Sequence, residues 1–173
     1  MNFIKTNSVG VDKPIQKIQE RLYAALDSLG TINGYGRVYK NKRKNRFVFE
    51  CYKGNDEYED ITSQDGSNFF CHVEETVDLT DAPQANLNWI FMLNLEHFYN
   101  GNIERMDEEI KQVVNASLIR KPFTLSSMVS GPEFVDNLLK GFFDGKSLAQ
   151  RDMHPYCIFT VRGTVTYNYK NCS

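Results

Sequence analysis

Three groups of side chains in this chain have the types that chemistry requires. Asp107, Glu108 and Glu109 stand in a row, and neighbouring carboxylates can hold a divalent cation or share acid–base work. His154 and Cys157 stand three apart, and Cys71 is followed directly by His72. Thiolates and imidazoles are zinc ligands, but a zinc site takes about four of them in clustered pairs. The third group is basic. Between Arg37 and Lys53 there are seven Lys or Arg against one acid, Glu50, and five of the seven (Lys40, Lys42, Arg43, Lys44 and Arg46) fall within one short run. Lys and Arg neutralise phosphates, and the flanking rings of Tyr35, Tyr39, Phe47 and Tyr52 could stack on exposed bases. The same run also suits a solvated hairpin tip or a salt-bridging surface.

The surroundings of these groups argue against catalysis. The three acids open a helical pattern, where the helix dipole and solvent both favour carboxylates. Cys71 and His72 are adjacent in a strand-like stretch, so they point to opposite faces and cannot share an ion. The chain has no Gly-x-Ser-x-Gly nucleophile, no phosphate-binding glycine loop and no paired cysteine motif. The expectation is a protein that is not an enzyme, with no catalytic, metal or cofactor-binding residues and no cofactor. A metal-dependent nuclease using Asp107 to Glu109 is the weakest alternative.

Charge is distributed in blocks. From Gly54 to Asp81 there are nine acids and no Lys or Arg. Asp56, Glu57, Glu59 and Asp60 form the densest part of this block. One reading makes it the partner surface for the basic run of another copy, giving head-to-tail association. The other leaves both blocks solvated, or paired within one chain. The whole chain of 173 residues has a net charge of −2, which argues against non-specific nucleic-acid binding as its main task.

Its 41 % hydrophobic and 24 % charged residues are those of an ordinary globule, and its length is that of one domain, 1–173. The 12 Phe and 9 Tyr favour sheet and large contact surfaces. No stretch approaches the roughly 18 apolar residues of a membrane span, so no membrane contact is expected. Met1 to Lys13 lacks the apolar core of a signal peptide. With no sign of secretion, the four cysteines are expected to be reduced.

These groups must be carried by a few elements. Residues 1–11 form an arm. Asp12 as N-cap and Pro14 in the first turn start a helix, and Ile15, Ile18, Leu22 and Leu26 recur at helical spacing until Gly30. A strand ends near Lys40, the run 40–46 is a hairpin tip, and Phe47 to Tyr52 alternates as the returning strand. Gly54-Asn55-Asp56 is a turn, followed by a short strand at Phe69 to Val73. Leu87 to Leu95 is apolar on both faces at its centre, the pattern of an interior strand covered on both sides.

Met106, Ile110, Val114 and Leu118 predict a second helix. Residues 120–130 read as irregular. Ser130-Gly131-Pro132-Glu133 reads as a capping box for a third helix with Phe134, Leu138 and Phe142 on its inner face. From Cys157 to Tyr169 the period of two is unbroken, predicting a long strand that bends at Gly163 or runs on towards a partner. The fold class is α+β, an antiparallel sheet with helices packed on it and a projecting β-hairpin.

Four segments together resemble a family. They are Tyr35-Gly36-Arg37-Val38-Tyr39 with the Phe47–Tyr52 strand, Ala85 to Leu95, Arg105-Met106-Asp107-Glu108-Glu109, and Asp152-Met153-His154-Pro155-Tyr156. They resemble small neck or head–tail ring proteins of tailed phages infecting Bacteroidetes, in the crAss-like group, whose order of elements is similar to the phage tail-terminator fold. The resemblance runs in order over most of the chain and rests on pleat and helix patterns. It implies a structural virion protein, made in the host cytoplasm, that forms a homo-oligomeric ring between portal and tail. Its partners would be itself, other neck, portal or tail proteins, and DNA in the channel. The region 120–155, with Lys121 to Arg151 at its centre, is longer than a minimal terminator needs and is expected to touch an adjacent ring. A DNA-binding module using the hairpin 40–46 is the main alternative.

Overall fold

The computed structural model describes residues 1–43, 46–61, 66–77, 82–98, 106–130 and 155–168. These form eight strands and two helices: β1 Asn2–Phe3, α1 Asp12–Asp27, β2 Asn33–Arg43, β3 Arg46–Gly54, β4 Glu57–Ile61, β5 Asn68–Val77, β6 Gln84–Asn94, α2 Met106–Leu118, β7 Phe123–Ser130 and β8 Tyr156–Thr166. The third helix expected after Ser130, together with Lys44, His154 and Cys172, falls outside the described residues.

The strands make one open sheet in the order β4-β3-β2-β5-β6-β8-β7, with β1 beside the start of β2. It is mostly antiparallel, but β1 and β5 both run parallel to β2, two pairings that the expectation of an antiparallel sheet omitted. Among the described residues β6 is interior, between β5 and β8, as its apolar centre requires. Leu87, Trp89, Phe91 and Leu93 face one cluster, and Ile90 and Met92 face the other. Phe91 and its cross-strand partner Phe159 stack with ring centroids 4.6 Å apart.

The larger cluster lies under the helices. Ile15, Ile18, Leu22 and Leu26 of α1 and Met106, Ile110, Val114 and Leu118 of α2 close over β5, β6 and β8. Asp12 does not cap α1. Val11 occupies the cap position without a side-chain bond, and Asp12, one residue inside, has its carboxylate 3.7 Å from both Lys5 and Arg37.

The smaller cluster covers the other face. Strand β2 pairs with β5 as far as Val38 and with β3 from Tyr39 onward, with a register shift between Gly34 and Arg37. That change of partner lets the β3–β4 unit fold back. Phe49, Cys51 and Ile61 pack onto Phe70, Ile90, Met92 and Ile158, and the Phe49 and Phe70 rings are 5.1 Å apart.

Two strands were not expected. β4 is charged nearly throughout, and Ile61 is its one buried residue, so no apolar period marks it. β7 occupies residues expected to be irregular. Phe123 and Leu125 face the helix-side cluster, a register shift follows between Leu125 and Ser127, and Met128 then takes over the same face. The shift moves the apolar positions from odd to even numbers, which hides the period of two. Gly163 of β8 sits against that irregularity: a Cβ there would lie 2.3 Å from the Phe123 ring and 2.4 Å from the Thr124 carbonyl oxygen. Only glycine fits this crossing. The strand around it ends at Thr166, shorter than the run to Tyr169 that the alternation predicts.

Candidate interaction surfaces

The acid row opens α2 as expected. Lys111, one turn on, donates to Glu108 Oε1 at 2.9 Å and to Asp107 Oδ2 at 3.4 Å. Pairs at three- and four-residue spacing are ordinary helix-surface stabilisers, so these carboxylates are engaged with a lysine. Cys71 and His72 do point to opposite faces. Cys71 is buried under the helices, where loss of solvent pushes its thiol well above the usual value. Cys51 and Cys157 are buried as well and stand outside any disulfide, and the Cys51 thiol donates to the Glu59 carbonyl at 3.4 Å. Among the described residues, no three His, Cys, Asp or Glu converge on a point. Neither described helix is long and apolar enough to cross a membrane.

His72 lies on the face covered by β3, with its ring edge against Phe49 at 5.8 Å. In the register of the sheet it is level with Asn88 on β6 and Arg162 on β8. Glu74 completes this row: it accepts from Asn88 Nδ2 at 3.2 Å and lies 3.6 Å from Arg162. Burial lowers the His72 pKa, Glu74 opposes the shift, and Lys40 and Arg37 add to it. Single polar residues scattered over three strands left no sequence signal for this row.

The basic run is a hairpin. Strands β2 and β3 pair from Tyr39↔Glu50 to Arg43↔Arg46, so 40–43 and 46, expected as part of the tip, are strand residues. Lys42 is exposed, while Lys40 lies along the inner side with its ammonium 4.8 Å above the Phe47 ring. Desolvation lowers the Lys40 pKa. Tyr39 and Phe47 are exposed as well.

The acidic run is the next strand. Glu50 pairs with Asp60, Cys51 with Glu59, and Tyr52 with Tyr58. Lys53 meets Glu59 at 3.2 Å, and Asn41 Nδ2 donates to Glu50 at 2.6 Å. Asp56, beside Asn55 in the β3–β4 turn, has φ of 59°. The two charge blocks are therefore neighbours on one flank of one chain and partly neutralise each other. Lys53 and Glu59 make the pairing within one chain that the charge pattern also allowed. A tight turn returns the chain at once, so residues adjacent in sequence become adjacent in the sheet.

A cleft lies where the outer side of this unit meets the start of α1. Tyr39, Tyr52 and Tyr58 form one wall, and Asp12, Gln16 and Gln19 the other. Arg37 stacks over Tyr39 at 5.0 Å. Partial burial works against the Lys5 charge, but Tyr58 and Asp12 outweigh it and raise the Lys5 pKa. Gln19 is the buried hub. Its Nε2 donates to Asn2 Oδ1 at 2.8 Å, to the Phe3 carbonyl at 3.0 Å and to the Gly34 carbonyl at 3.2 Å. Gly36 leaves the space that its Oε1 needs, since a Cβ there would be 2.8 Å away.

No family model, curated protein or solved structure matches this chain. Its surfaces must speak for it. The cleft is lined by the chain's own cations and tyrosines, and Lys111 holds Asp107 and Glu108 of the acid row.

Proposed function

We propose that this chain is a structural virion protein. Copies associate side by side into a ring in the neck, head–tail connector or tail terminator of a tailed phage, joining portal to tail around the DNA channel. The observation that carries this reading is the open sheet with unlike edges. β4 at one end of the strand order is acidic, whereas β7 at the other carries Thr, Ser and apolar side chains and no charge. Among the described strands nothing pairs with the outer side of either. Unlike edges favour heterologous contacts, which close into rings when the rotation between copies allows.

The segments that carry the family resemblance support it. Those among the described residues fall on β2 and β3, on the interior strand β6, on the first turn of α2 and on the start of β8. Within this reading the hairpin 40–46 and the segment 120–155 contact a neighbouring copy, an adjacent ring or the DNA. Particle mass in solution and negative-stain images test it. Closed particles of one multiple of the subunit are expected, and a monomer at every concentration and ionic strength ends the reading. One observation favours DNA contact as a second reading: Lys42, Tyr39 and Phe47 are exposed together on the hairpin. Duplex binding that weakens steeply with salt is its signature.

A further inference from the structure

A second basic surface lies away from the hairpin. Lys13, Lys17 and Arg21 follow one another at four-residue spacing on α1, which puts them on one stripe. Lys13 and Lys17 are exposed. Arg21 reaches across and donates to the carbonyls of Arg120 at 3.3 Å and Lys121 at 3.2 Å. These carbonyls lie just past the C-terminus of α2, where a cation is favoured. The bond draws the turn at 119–122 against the stripe. Burial lowers the Arg21 pKa, and the Arg120 charge beside it adds to the shift.

A groove at this junction is bounded by Lys13, Pro14 and Lys17 on one side and Pro122, Thr166 and Tyr167 on the other. Four exposed cations, Lys13, Lys17, Arg120 and Lys121, thus gather at one corner. Among the described residues their ammonium and guanidinium groups make no ion pair within the 4.0 Å that defines one. Ile119, in the same turn, is 63 % exposed.

We propose that this corner receives β4 of a second copy of the chain. The proposal rests on the reading of the protein as an assembling subunit and names the two surfaces that meet. β4 and its turn expose Asp56, Glu57 and Glu59, the last shared with Lys53, against the four cations of the corner. Pro122 leads directly into β7, at the other end of the strand order from β4, whereas Lys13 and Lys17 lie on the start of α1, near the cleft lined by Tyr58 of β4, so corner and β4 are two distinct surfaces of one chain. Joining one to the other is head-to-tail and repeats from copy to copy. Charge steers the encounter and sets register, and Ile119 supplies an apolar contact at its centre. A nucleic-acid backbone is the competing occupant. The net charge of −2 and the exposed isoleucine favour protein over phosphate.

Two variants test this on the full chain by sedimentation velocity at low salt. Lys13→Glu with Lys17→Glu and Lys121→Glu reverses the corner. Glu57→Lys with Glu59→Lys reverses β4. Each alone is expected to weaken self-association roughly tenfold or more, with unchanged circular dichroism. An equimolar mixture of the two restores it, because each reversed surface then finds its complement. If the corner variant does not fold, Lys13→Gln with Lys121→Gln is expected to give the same loss. Unchanged assembly by a reversed corner overturns the inference and leaves the ring reading standing. Loss in each variant without rescue on mixing removes β4 as the partner. A wild-type chain that never self-associates removes the ring reading, and the inference with it. Binding of a short duplex by that monomer, abolished by the corner variant, assigns the surface to nucleic acid instead.

Discussion

Gln19 shows how one buried side chain can hold three segments. Its amide nitrogen bonds to β1 at two points and to β2 at a third, and the residue is 1 % exposed. Replacing it leaves the Phe3 and Gly34 carbonyls without this donor. Gln19→Ala should cost about 1–3 kcal/mol, read as a lower midpoint in urea unfolding, and an unchanged midpoint would show that the arm is held by other contacts. His72 gives a second residue-scale expectation. Its native pKa lies below its ordinary value of 6.5, chiefly through burial. The unfolded chain therefore takes up this proton first as pH falls. The contribution of neutral His72 is complete above about pH 6.5 and is lost progressively as pH drops towards the native pKa. His72→Gln should flatten the fall in melting temperature between about pH 7 and pH 5. An equally steep fall in the variant would move the cause to other groups.

At the scale of elements, the folding-back of β3 and β4 is the decisive event. Phe49 is 1 % exposed and meets the Phe70 ring, so it fastens the unit to the second face of the sheet. Phe49→Ala should cost about 3–5 kcal/mol. Amides of β3 and β4 should then exchange with solvent sooner than those of β6 and β8, because the loss is local to one flap. Uniform acceleration across the sheet would mean that the flap and the main sheet unfold as one unit. The legible elements were α1, α2, β6 and β8, where unbroken period, length and burial agree. β7 was hidden by its register shift and β4 by its charge. Among the described strands both lie at an end of the order, paired on one side, and such strands need fewer apolar residues than an interior one does.

For the whole molecule, the consequence of the fold is where charge ends up. If β4 of one copy docks on the Lys13–Lys121 corner of the next, assembly is partly electrostatic. Raising salt from about 0.05 M to about 0.5 M should then weaken it, since the screening length falls from above 10 Å to a few ångströms. Salt-independent assembly would leave apolar contacts as the driving force. The amino-acid order alone determined the class of the fold, both described helices, the interior strand β6, the pairing of the basic run with the strand after it, and the turn at 54–56. Each is set by neighbours within a few residues, through helical spacing, alternation and turn chemistry. Only the tertiary structure decided which surfaces are charged. A tight turn laid the basic and acidic runs side by side, where Lys53 meets Glu59. Arg21 meanwhile bound carbonyls roughly a hundred residues away and gathered Lys13, Lys17, Arg120 and Lys121 at one corner. Coulomb forces act through space, so a cluster drawn from distant stretches of chain leaves no block to read in the sequence.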